Sequence, residues 1–139
     1  MRRFAAPILA SAILATPALA ETIEIDHNGL TLNAELQLAD GSTLADGVLV
    51  LTHGTLAHSG MELIVALQEL FVDYGINTLA VNLSYGIDNR TPAMYDCAVP
   101  AQHTMQDAVA EIAAWQDWLD SQDAGPRWMM GHSRGGNQT

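Results

Sequence analysis

Lysine is absent from the 139 residues, and five arginines stand against 16 aspartates and glutamates, for a formal net charge of −11. A surface that acidic repels phosphate backbones and anionic headgroups, which argues against nucleic-acid binding and electrostatic membrane docking. One cysteine, Cys97, excludes a disulfide within this stretch. In an oxidising compartment its thiol is expected to be buried or left for a partner. Internal repeats are lacking, and no apolar run has the length and composition of a stable membrane anchor.

What is present begins with a secretory signal. Arg2 and Arg3 give a positive start, Phe4 to Leu14 an apolar stretch broken only by Pro7 and Ser11, and Ala18-Leu19-Ala20 a small-residue cleavage site. The expectation is export to the periplasm or exterior with cleavage after Ala20. The chain from Glu21 then keeps only Arg90, Arg127 and Arg134 as basic residues.

Two alternating segments, Thr22 to Asp26 and Leu30 to Leu36, flank Asn28-Gly29, which predicts a tight hairpin. Val48 to Leu51 is apolar without alternation, as a strand covered on both faces requires, and it runs into His53-Gly54. From Ser59 the period becomes helical. Ser59 and Glu62 predict a capping box, Leu63, Ile64, Leu67, Leu70 and Phe71 an apolar face, and Gly75 the stop. Ile76 to Leu83 reads as the next strand. A stretch without periodicity, Ser84 to Gln102, follows; loops of that length are usually functional or disordered. Thr104 and Asp107 predict the cap of a second helix, with Met105, Val109, Ile112, Gln116 and Leu119 on one side and Ala108 and Trp115 beside them. Gly125-Pro126 ends it, and Arg127 to Met130 is a last short strand. This order predicts an α/β fold with a mostly parallel sheet, helices on both faces and an antiparallel N-terminal hairpin.

Gly131-His132-Ser133-Arg134-Gly135 follows that strand as a G-x-S-x-G motif, which sets a serine on a sharp strand-to-helix turn. Ser133 is the candidate nucleophile, and a serine hydroxyl needs a histidine base and an orienting carboxylate to act. His53 reads as a structural histidine, and His132 as packing near the pocket rather than serving as base. Trp115, Trp118 and Trp128 read as core. His58, Cys97 and His103 match no zinc-ligand spacing, so no metal is expected. Arg90, beside Asp88 and Asn89, reads as a solvated charge, with a place on a substrate rim as the alternative.

With His53-Gly54 after one apolar strand and G-x-S-x-G after another, residues 22–139 resemble the N-terminal half of the α/β-hydrolase fold. His53 to Gly60 is similar to the corresponding loop of monoglyceride-lipase-like and serine-aminopeptidase-like members. Where many members carry an Asp-x-x-Gly-x-Gly turn, this chain has Asn82 to Asp88. The resemblance implies an exported serine hydrolase cleaving ester or related acyl bonds of a small molecule through an acyl-enzyme. It implies an oxyanion hole from the backbone N–H groups of Thr55 and Arg134, and no cofactor. The family's order of serine, acid and histidine puts the last two beyond Thr139. This stretch is accordingly expected to be a fragment without the C-terminal strands, inactive by itself. The alternative is a hydrolase-like binding module without a working triad.

Overall fold

The structure is a computed structural model and describes residues 20–100 and 102–139. The expected signal segment, except Ala20, lies outside the described residues. Strand β1 (Glu21–His27) and strand β2 (Leu30–Gln37) form the predicted hairpin, with His27 opposite Leu30. Asn28 and Gly29 both take positive φ, 50° and 81°, as a two-residue type I′ turn needs. Then come β3 (Val48–Thr52), helix α1 (Glu62–Asp73), β4 (Asn77–Asn82), helix α2 (Met105–Ser121) and β5 (Arg127–Gly131).

The five strands form one sheet in the order β1-β2-β4-β3-β5. Strands β3, β4 and β5 run parallel, while β2 joins β4 antiparallel. The unalternating run in β3 is explained by burial on both faces. Val48 and Val50 point into a core with Leu79, Val81, Ala108, Ile112, Trp115 and Leu119, under α2. Leu49 and Leu51 point into a second core with Ala80 and Ile64, under α1. At about 1.5–3 kcal/mol for each large apolar side chain removed from water, these two layers supply most of the drive to fold.

Helix α2 starts as expected, with the Thr104 hydroxyl accepting the Asp107 N–H at 3.2 Å and the Asp107 carboxylate accepting the Thr104 N–H at 2.7 Å. Helix α1 does not. Its N-cap is Met61, without a side-chain cap, and Ser59 is buried in the preceding turn, where the Met61 N–H donates to the His58 carbonyl. That turn satisfies its own backbone and moves the helix start past the expected box. The C-terminus follows the sequence: Gly75 (φ 80°) donates to Val72 O and Ile76 to Phe71 O, a Schellman closure.

The apolar faces are narrower than the periodicity suggests. Leu63, Leu70 and Val109 are exposed, and Gln68 and Glu111 take buried helix positions. Trp115 is core, Trp118 is half-buried, and Trp128 is 53 % exposed, contrary to a core reading of all three. The reason is position: β5 pairs only with β3 among the described strands, so Trp128, Met129 and Met130 lie on the sheet's outer edge.

Candidate active site

Parallel pairing brings β3 and β5 to the same end of the sheet, with Thr52 opposite Gly131. The chain leaves β5 through His132, whose N–H donates to Thr52 O at 2.9 Å, and turns sharply at Ser133 into a short 3-10 segment, Ser133–Asn137. Ser133 has φ 56°, a left-handed conformation that costs a non-glycine residue about 1–2 kcal/mol. The turn is held from both sides. A Cβ on Gly131 would collide with the backbone of Gly135 and Gly136, and a Cβ on Gly135 would fall 2.6 Å from the carbonyl oxygens of Thr52 and His53. Only glycine fits at either place, and the close approach leaves Ser133 at the crest, exposed.

The loop after β3 lies against that crest. A Cβ on Gly54 would be 3.1 Å from Ser133 Cβ. His53 is fully buried; its Nε2 accepts the Leu83 N–H at 3.1 Å, which assigns the ring proton to Nδ1, and Nδ1–H donates to Gly54 O at 2.9 Å. Burial pushes its pKa down to about 4, so the ring is neutral near neutral pH and both contacts persist. Thr55 is the next residue and is exposed. Among the described residues, neither the Thr55 N–H nor Ser133 Oγ has a protein hydrogen-bond partner. Arg134 occupies the first turn of the 3-10 segment, where backbone N–H groups precede any partner. Beside Ser133, a cavity of about 280 Å³ is lined by Leu51, Leu63, Ile64, Leu67, Met130 and His132.

Similar solved structures share this arrangement of strands. Est1E from Butyrivibrio proteoclasticus, in a structure with ferulic acid bound, matches at 26 % identity and a TM-score of 0.69, over 84 % of this chain and 44 % of its own. A cold-adapted esterase from an Arctic intertidal metagenomic library matches at 23 % identity and 0.66, over 84 % and 51 %. Dienelactone hydrolase from Anabaena variabilis matches at 16 % and 0.70, over 88 % and 56 %.

This chain has the α/β-hydrolase fold.

It spans about half the length of these hydrolase-fold structures. No protein-family model and no curated protein sequence matches it. Within the hydrolase fold, the residues singled out in sequence gather at one sheet edge: Ser133, Arg134, His132, His53 and Thr55 all lie where β3 and β5 end. His132 is exposed and lines the cavity beside Ser133. Cys97 is exposed, its Sγ 3.9 Å from Tyr95 O.

Arg90 reverses its expectation. It is neither solvated nor on a rim: it is 4 % exposed, and its guanidinium donates to Asn82 Oδ1, Leu83 O, Ala57 O and Ala93 O at 2.7–3.0 Å. Among the described residues the stretch from Ser84 to Gln102 has no helix or strand, but it is tied to this charge through Ala93 O and the Tyr85 ring. A buried arginine needs convergent acceptors, and only the folded backbone supplies three of these four.

Sequence reasoning also missed Glu111. It sits buried on α2, accepts from the Ser84 N–H and hydroxyl at 2.8 and 2.5 Å, and pairs with His103 Nε2 at 2.9 Å. Burial would raise its pKa, but the His103 and Ser84 contacts outweigh that and leave it below the usual glutamate range. A charged residue at an apolar helix position was the available signal.

Proposed function

We propose that this hydrolase-fold protein is a serine hydrolase that cleaves an ester or related acyl bond of a small molecule. The observation that carries the reading is Ser133 at φ 56°, presented by two glycines that admit no Cβ and facing a glycine-lined loop. A hydroxyl held at such a crest can approach a carbonyl without a neighbour shielding it.

In this reading Ser133 Oγ attacks the acyl carbonyl and gives its proton to a histidine base. The tetrahedral oxyanion collects hydrogen bonds from the Thr55 and Arg134 N–H groups, each worth about 3 kcal/mol in a dry site. Collapse expels the alcohol, which takes the proton back, and water then releases the acid by the same steps. The base and its acid are proposed to come from sequence following Thr139. Support for this is twofold: Ser133 Oγ has no partner among the described residues, and the histidine–carboxylate pair present, His103 with Glu111, is engaged with Ser84 after β4. Export with cleavage after Ala20 belongs to the same proposal and is supported by β1 starting at Glu21, so that cleavage would leave the whole sheet intact.

The test is covalent labelling of the intact protein with a fluorophosphonate and mapping of the adduct. Labelling at Ser133 that disappears in Ser133→Ala is the expected result. A wild-type protein that resists the probe and turns over no ester would be a binding module on a hydrolase scaffold.

A further inference from the structure

Resting on the serine-hydrolase reading, we propose that Tyr85, braced by Arg90, is a positioning residue that aims the Thr55 N–H at the developing oxyanion. In a trans peptide the carbonyl and the N–H point in opposite directions. Whatever grips the Gly54 carbonyl therefore sets the direction of the Thr55 N–H in the same peptide unit. His53 Nδ1–H donates to that carbonyl at 2.9 Å, the Ala57 N–H at 3.2 Å and the Tyr85 hydroxyl at 3.4 Å, and of these donors Tyr85 alone also reaches the next peptide unit. The same hydroxyl accepts the Leu56 N–H at 3.0 Å. One oxygen thus ties the peptide units on both sides of Thr55 and leaves the Thr55 N–H as the donor without a protein acceptor among the described residues.

Tyr85 is itself held. Its ring has the Arg90 guanidinium carbon 4.8 Å from its centroid, and the rings of Tyr95 and His103 each at 5.2 Å. Arg90 reaches past it to Ala57 O at 2.8 Å, and the Tyr95 N–H donates to Leu56 O at 2.9 Å. Leu56 and Tyr85 both sit at positive φ, 57° and 52°. Strained backbone on both sides of one hydrogen bond persists only where the surroundings over-determine it. The loop after β4 is in this way the mould for the loop after β3. Its effect should fall on the transition state, where charge reaches the oxyanion, and not on substrate binding.

The experiment uses the intact protein with active sites counted by fluorophosphonate titration. Tyr85→Phe keeps the ring and deletes the hydroxyl. It should lower kcat for a p-nitrophenyl ester about tenfold per titrated site, part of what a lost oxyanion donor costs, with KM within about twofold. Affinity for phenylboronate, whose serine adduct places an oxygen in the same hole, should fall by a similar factor. A role in folding alone would lower the number of titratable sites and leave kcat per site and boronate affinity unchanged; that result overturns the proposal. Should Tyr85→Phe fail to fold, Arg90→Lys, which keeps the charge but cannot span four acceptors, is read by the same criteria. Failure of the hydrolase reading looks different, because wild type would then show neither titration nor turnover.

Discussion

Gly135 lies on the end of β3 so closely that a Cβ there would be 2.6 Å from Thr52 O, and this contact is what turns the chain at Ser133. Two strands can deliver a serine to the same edge in many ways. Here backbone touches backbone, so the position of Ser133 relative to Gly54 is set by main-chain atoms that cannot rotate away.

Gly135→Ala should therefore be among the most damaging small substitutions in the chain. The nearest atoms are the carbonyl oxygens of Thr52, at the end of β3, and of His53 just after it, so the strand or the turn must move, at a cost of about 2–3 kcal/mol or more. Thermal melting should fall by several degrees, and fluorophosphonate labelling of the surviving folded protein should be lost.

Ser133→Gly and Ser133→Ala should both abolish labelling, yet differ in stability. At φ 56° alanine carries a Cβ penalty of about 1–2 kcal/mol that glycine avoids, and this exceeds glycine's greater entropy in the unfolded chain. Chemical denaturation should find the glycine variant about 0.5–1 kcal/mol more stable than the alanine variant.

Acid should destabilise the fold through His53. Its pKa is about 4 folded against 6.5 unfolded, so between those values the unfolded chain binds more protons and stability rises with pH. The contribution is intact above pH 6.5 and is lost as pH falls towards 4. It amounts to something on the order of 3 kcal/mol, since each unit is worth about 1.4. Stability measured from pH 7 to pH 4 should drop, and a His53→Gln variant should lose less over that range while starting lower.

Arg90→Met should cost about 3–5 kcal/mol, because it leaves Ala57 O, Leu83 O, Ala93 O and Asn82 Oδ1 without their shared donor. The first symptom should be local: limited proteolysis should cut between Ser84 and Gln102 before the sheet unfolds. A variant as resistant as wild type would contradict the place given to this charge.

Protein recovered from the periplasm or medium of the producing cell should begin at Glu21 when its N-terminus is sequenced. Material that retains Met1 in the cytoplasmic fraction would contradict export.

The strands, the hairpin turn, the cap of α2 and the G-x-S-x-G crest were legible in sequence because each depends on neighbours a few residues away. Apolar runs need cover, Asn28-Gly29 supplies two positive φ values, Thr104 and Asp107 reach each other's backbone, and glycines at 131 and 135 permit close approach. The start of α1 was misread since the His58–Met61 turn competes with the Ser59 cap, and that choice is made by burial.

By itself, then, the sequence determined the kind of layers, the place of the turn and the residue at its crest, all consequences of local sterics and hydrophobic period. Tertiary structure alone decided the rest. It took Arg90 from solvent into a cage of carbonyls, set Glu111 against Ser84 and His103, and laid Tyr85 across the loop that carries Thr55. Those contacts join residues up to 33 positions apart, and the partners are largely backbone atoms, which every residue has and no sequence pattern marks.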